Sequence, residues 1–271
     1  MSSLLVSKHQ IKRMFKNQKK IIFLLMFFAF MVEFFFTVIL STSTIRQFAE
    51  SYFKLMPPMV KQMLGFMGDG FVSSQFIAFG FGHPALLFIL CFVSISIAGR
   101  YITAEIEGRS IELLAIRILP RNKIIFSTYF FILITILAIY FSMISGSFLG
   151  GEIMGVSDDV PFMLLIKMAG IGILFFAAIS AIVTFISSIH SERGMALAWN
   201  IGLILFLFVF DALIRLWPKV SFLKPYSLFN WYQPVNIATG KYNLLIGIPL
   251  LSIILISFLI ATVYKFNRRD L

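Results

Sequence analysis

Carboxylates set in apolar sequence are the first residues in this chain that could do chemistry. Glu33 interrupts an apolar run over 21–40, and Asp211 ends another that begins at 194. A carboxylate inside a membrane span is costly, which makes it a candidate for a substrate or ion path, or for a hydrogen bond to a neighbouring helix. Asp211 stands four residues before Arg215, so the two share one helix face and a local ion pair is expected. Glu105 with Glu107, and Asp158 with Asp159, are the pairs that acid–base catalysis would use. Residues two apart on a helix do not face each other, and Asp158-Asp159 lacks a third Asp at metal-binding spacing. No Ser or Cys stands with a His in a recognisable nucleophile arrangement. The three His, at 9, 83 and 190, are scattered, and the single Cys91 excludes a disulfide framework or a zinc site built on several Cys. Met59, Met63 and Met67 follow Pro57-Pro58 at intervals of four, which reads as one face of an amphipathic helix rather than as thioether ligands for Cu(I). An intramembrane enzyme is therefore the least supported class.

The elements that would hold these residues are membrane helices. Of the 271 residues, 59% are hydrophobic and 13% charged, too apolar a balance for a soluble domain to bury. The runs 71–99, 124–151, 168–191 and 242–264 contain no Asp, Glu, Lys or Arg, and a bilayer-crossing helix needs about 20 apolar residues. With 21–40 and 194–215 these predict six spans, near 21–40, 84–101, 124–149, 166–188, 194–215 and 243–264, in one transmembrane domain over 1–271. The expected fold is an all-α integral membrane protein. Ser142, Gly146 and Gly150 repeat at four-residue spacing on the third span, a pattern that permits close helix contact, expected within the chain rather than across a dimer.

The net charge of +11 fits lipid contact better than nucleic acid, because the basic residues flank the spans. With both termini on one side, that side holds fifteen Lys and Arg against eight on the other, which places the termini in the cytoplasm. Over 4–20, Leu4, Ile11, Met14 and Phe15 share one helical face and Lys8, Lys12, Lys16, Lys19 and Lys20 another, predicting an amphipathic helix in the membrane plane. Before the last span, 217–241 mixes Pro218, Pro225 and Pro234 with Trp217, Tyr226, Trp231 and Tyr232, which predicts a re-entrant or interfacial segment.

The loop 100–123 is dense in charge yet punctuated by Ile111, Leu113, Leu114, Ile116 and Ile118. It is too short for a domain and reads as a helical element that docks on something in the cytoplasm. Here the sequence resembles the permease subunits of ABC-2 type transporters. These typically carry Glu-x-Glu-x-Gly-Thr-(Leu/Ile)-Glu-x-Leu-Leu between the second and third spans, then a Pro-x-Ser-Arg stretch. Glu105, Glu107, Ile111, Glu112, Leu113, Leu114 and Arg121 stand where that pattern has them. Ser110 replaces Thr, Arg109 replaces Gly, Ile118 replaces Pro, and Pro120 falls two residues late. The ending, Phe266-Asn267-Arg268-Arg269-Asp270-Leu271, is also similar to the family's.

The resemblance implies an exporter's transmembrane subunit in a bacterial inner membrane. The loop would be a coupling helix seated on a cytoplasmic ATPase dimer, with Glu105, Glu107, Arg109, Ser110, Glu112, Leu113, Leu114 and Arg121 in or near the docking surface. ATP and Mg would bind that partner. The sequence has no Gly-x4-Gly-Lys-Ser/Thr phosphate loop, which accords with a separate motor, and no cofactor is expected in this chain. Two permeases, either a homodimer or a related pair, would enclose the path and rock between inward and outward states. A rival reading is an ion-coupled secondary transporter that uses Glu33 and Asp211.

Overall fold

A computed structural model describes residues 6–41, 43–57, 60–61, 73–108, 121–159 and 161–268, and every regular element among them is helical. The principal helices are α1 (Lys8–Ser41), α2 (Ser43–Leu55), α3 (Ser73–Phe81), α4 (Pro84–Ala98), α5 (Arg121–Met154), α6 (Phe162–Ile189), α7 (Arg193–Leu216), α8 (Pro234–Ala238) and α9 (Leu244–Asn267). Among the described residues six stretches are long and apolar enough to cross a membrane: Lys8–Ile39, Ile77–Glu107, Asn122–Met154, Phe162–Ile189, Arg193–Leu216 and Leu244–Asn267. In lipid a helix is the one isolated segment that satisfies all its own backbone groups, so the chain is a multi-pass membrane protein.

Helix α6 sits at the centre. Of its apolar window 67% is buried, against 11% for α9 and 22% for α1 and α7. The peripheral helices turn large apolar side chains outward, such as Phe23 at 72% exposure, a surface that water would not tolerate and acyl chains do.

The longest packing seam joins α1 to α5. Ser7 N–H donates to Ser127 Oγ at 2.8 Å at one end. Further along, Gly146 lies against the Phe30 backbone, and Gly150 against Phe34 and Thr37. Residue numbers rise together along both sides of the seam, so α1 and α5 run parallel. A Cβ at Gly146 would overlap the Phe30 carbonyl, so close approach requires glycine there. The small-residue repeat of the third span is thus a contact inside the chain.

Two elements differ from the sequence reading. The basic segment is not a helix of its own: α1 continues through it without interruption from Lys8, with Met14 and Gln18 buried. The second apolar stretch begins at Ile77 rather than 84, because α3 leads into α4 across a break at Gly82-His83. Pro84 causes that break, since it lacks an N–H and holds His83 extended, at φ −61° and ψ 127°. Beyond Ala98 the helix widens into a π-turn, Gly99–Thr103, before a last α-turn, Ala104–Glu107. The segment before α9 folds as 3-10 turns, Pro218–Tyr226 and Phe229–Trp231, and the short α8, which packs on α3. Met59, Met63 and Met67 lie outside the described residues.

Candidate functional site

Among the described residues, three polar assemblies built around carboxylates stand in the apolar bundle. The first is at the end that carries Ser7, where α4 leaves the spans. Glu105 and Glu107 point apart, as their spacing requires. Glu105 Oε1 accepts from Arg13 Nη2 of α1 at 2.9 Å, and Glu107 Oε2 accepts the Arg193 N–H that opens α7 at 3.1 Å. Ile106 is buried between them. One turn earlier Thr103 Oγ1 donates to the Ser187 carbonyl of α6 at 2.8 Å, and Asn200 Nδ2 of α7 donates to Ser187 Oγ at 3.2 Å. The base of the loop 100–123 is therefore tied to α1, α6 and α7. Arg109, Ser110, Glu112, Leu113 and Leu114 lie outside the described residues, and of Arg121 only the backbone, at the start of α5, is described.

The second assembly surrounds Glu33, which is 0% exposed. Ser147 Oγ of α5 donates to its Oε2 at 3.0 Å, and Thr37 Oγ1 donates to its backbone carbonyl at 3.0 Å. Oε1 is buried and has no hydrogen-bond partner among the described residues. Gly80 of α3 packs directly over the carboxyl, so that a Cβ there would lie 2.8 Å from both oxygens. In the same half of the bundle the Tyr140 hydroxyl donates to that of Tyr232 at 3.0 Å, which donates to the Phe81 carbonyl at 3.3 Å. That carbonyl belongs to the last residue of α3, where the helix break removes its usual partner. Tyr232 stacks on Phe175, with ring centroids 5.2 Å apart, and Gly172 leaves room for the Tyr140 hydroxyl. The arrangement offers one buried carboxyl oxygen and a helix break within an otherwise apolar bundle. His83 stands at the break, where its Nδ1 accepts the Ala85 N–H at 3.3 Å, and no cluster of three metal-ligating side chains occurs among the described residues.

The third assembly closes α7. Arg215 Nε donates to Asp211 Oδ2 at 2.6 Å, with the side chains 19% and 10% exposed. Ser227 Oγ donates to Asp211 Oδ1 in a short hydrogen bond. Both carboxylate oxygens are thereby engaged, and Asp211 is a member of a local pair, apart from Glu33. Beside the pair lies a pocket of about 110 Å³ walled by Phe79, Leu87, Phe208, Phe229 and Val235. The Tyr242 hydroxyl, raised above the ordinary tyrosine value by burial, stays a neutral donor to the Trp231 carbonyl at 2.8 Å and fastens the turn to the start of α9.

The structure therefore places Glu105 and Glu107 together at one end, Glu33 in the bundle, and Asp211 at the other end. Gly80, Tyr140, Ser147 and Ser227 complete the assemblies without standing out in the sequence, and Tyr232 stands out there only as an interfacial aromatic. Tyr140 carries a weak signal as a polar aromatic in the middle of a charge-free run. No family model matches the chain, and neither does any curated protein or solved structure.

Proposed function

We propose that this chain is the permease subunit of an ATP-binding-cassette exporter of the ABC-2 type, in a bacterial inner membrane with both termini in the cytoplasm. The observation that carries the reading is the bracing at the base of the loop 100–123. Glu105 is bonded to α1, Glu107 to α7 and Thr103 to α6. A push delivered to that loop moves three spans besides its own, which is what a coupling element must do. The π-turn Gly99–Thr103 lies at the same place, and such turns are frequent at functional sites. In this reading a separate ATPase dimer binds ATP and Mg, Glu105, Glu107, Glu112 and Arg121 shape its docking surface, and a second permease completes the path.

The test is purification of the tagged chain from its native membrane in a mild detergent, followed by mass spectrometry of what accompanies it. A soluble ATPase with a phosphate-loop motif is expected in about equal amount. Reversing charge with Glu105→Lys and Glu107→Lys should remove that partner or uncouple its hydrolysis from transport. Unchanged partner binding and transport in the double variant would refute the assignment.

One observation favours a second reading, an ion-coupled carrier: the buried Oε1 of Glu33, which has no hydrogen-bond partner among the described residues. In that case vesicles without ATP would accumulate cargo under an imposed proton gradient, and Glu33→Gln would abolish this.

A further inference from the structure

The pocket beside Asp211 and Arg215 is built unlike the other two assemblies. Its wall is apolar and largely aromatic, and its polar end holds Asp211, Gln233 and the guanidinium of Arg215, which has donors to spare. Arg215 spends Nε on Asp211, and Asp211 spends its second oxygen on Ser227. The two terminal nitrogens of Arg215 make no hydrogen bond among the described residues, and the side chain keeps 19% exposure at the edge of the pocket. Residues 208–241 carry Arg215, Lys219, Lys224 and Lys241 against one carboxylate, Asp211, so the pair's own negative charge is outweighed locally. Trp217, Phe222 and Tyr226 are exposed beside it, at 57%, 69% and 77%, as side chains at a membrane–water boundary are.

We propose that this pocket binds an anionic amphiphile, with a phosphate or carboxylate head on the terminal nitrogens of Arg215 and an apolar tail against Leu87, Phe208 and Phe229. A planar guanidinium fork suits two oxygens of such a head, and a hydrogen bond assisted by charge is about twice as strong as a neutral one. Phosphatidylcholine meets the same apolar wall, but its head carries a compensating cation that the flanking lysines oppose. The site stands whether or not the chain couples to an ATPase, because its described lining belongs to α3, α4, the end of α7 and the segment before α9.

The experiment is native mass spectrometry of the full chain in a non-ionic detergent, titrated with dioctanoyl phosphatidylglycerol and, separately, with dioctanoyl phosphatidylcholine. Phosphatidylglycerol should bind about tenfold more tightly, a difference of about 1.4 kcal/mol, because both heads offer the same phosphate and only choline brings a cation that Arg215 and the lysines repel. Arg215→Met should bring the two lipids level. Because that change also leaves Asp211 unpaired, Ala212→Phe is the second variant: Ala212 lines the pocket, and a phenyl ring there fills it while the ion pair stays intact. It should remove the preference too, whereas Lys219→Gln should preserve most of it. Displacement of the bound lipid by octyl phosphate would assign the pocket to acidic amphiphiles at large, cargo included. Binding that octyl phosphate does not displace would assign it to two-chain lipid of the bilayer. Equal binding of the two lipids by the unmodified chain, or an undiminished preference in Ala212→Phe, overturns the proposal.

Discussion

Replacing Gly80 with alanine tests how Glu33 is housed. The new methyl would sit 2.8 Å from both carboxyl oxygens, several tenths of an ångström inside ordinary contact. The carboxyl is the far end of a side chain, so what opposes its shift is its full burial and the 3.0 Å bond from Ser147. Crowding of a packed site costs about 1–3 kcal/mol and a weakened hydrogen bond about 1 kcal/mol, so Gly80→Ala should cost about 2–4 kcal/mol. At about 2–4 °C per kcal/mol for a chain of this size, the thermal midpoint falls by about 4–16 °C. Cys91 is the sole thiol and is buried, so a maleimide dye that fluoresces on reaction reports unfolding directly. In a Glu33→Ala background the clash has no partner, and Gly80→Ala should be neutral or better, since glycine inside a helix costs up to about 1 kcal/mol. In a Glu33→Gln background, which keeps the size and removes the charge, the penalty should persist. If Gly80→Ala costs as much in the Glu33→Ala background as it does with the native glutamate, the packing of Gly80 on the carboxyl is refuted.

Three other outcomes are expected in the same assay. Gly146→Ala should lower stability by about 1–3 kcal/mol through collision with the Phe30 backbone, while Gly202→Ala, with open space around it, should not; equal effects would deny the close α1–α5 seam. Asp211→Ala strands the Arg215 cation and the Ser227 hydroxyl and should cost about 2–4 kcal/mol, whereas Asp211→Leu with Arg215→Leu should recover at least half of that; a double variant as unstable as the single one would contradict the pairing. Tyr232→Phe removes one donor and one acceptor from the chain of hydroxyls that ends on Phe81 and should cost about 1–2 kcal/mol; a midpoint unchanged within about 1 °C would show that those bonds contribute nothing.

Much of the scaffold is legible in the sequence, because it rests on local chemistry. A span is a run of residues without charge, and a run is visible one residue at a time. The Asp211–Arg215 pair follows from a spacing of four, and the closeness at Gly146 from a repeat of small residues. The polar assemblies are hidden for a different reason. Ser147 is 114 positions from Glu33, and Phe81 is 151 from Tyr232, so nothing in either neighbourhood marks the partner. Ser147 looks like its neighbours Ser142 and Ser145, which bond to their own helix instead. The break at His83-Pro84 is legible as a helix start, but the apolar turns of α3 ahead of it are too short to read as a helix of their own. The continuity of α1 through its lysines is not legible, because amphipathic composition fits both a helix in the membrane plane and a helix that merely rises out of it.

The parallel seam between α1 and α5 has a consequence for how the chain is made. Glu33 and Ser147 are separated by 114 residues, which at about 5–20 residues per second takes a ribosome roughly 6–23 s. Through that interval the first span resides in the bilayer without the hydroxyl that will meet its carboxyl. A charged residue at a helix centre costs about 2.5–3.5 kcal/mol to insert, and each Phe or Leu returns about 0.3–0.6 kcal/mol, so the Phe-rich turns on both sides of Glu33 hold the helix in place while it waits. Biogenesis thus passes through a stage with an orphan carboxyl in lipid. A chain halted before Gly150 would expose that carboxyl and the bare α1 seam to the proteases that police unassembled membrane helices.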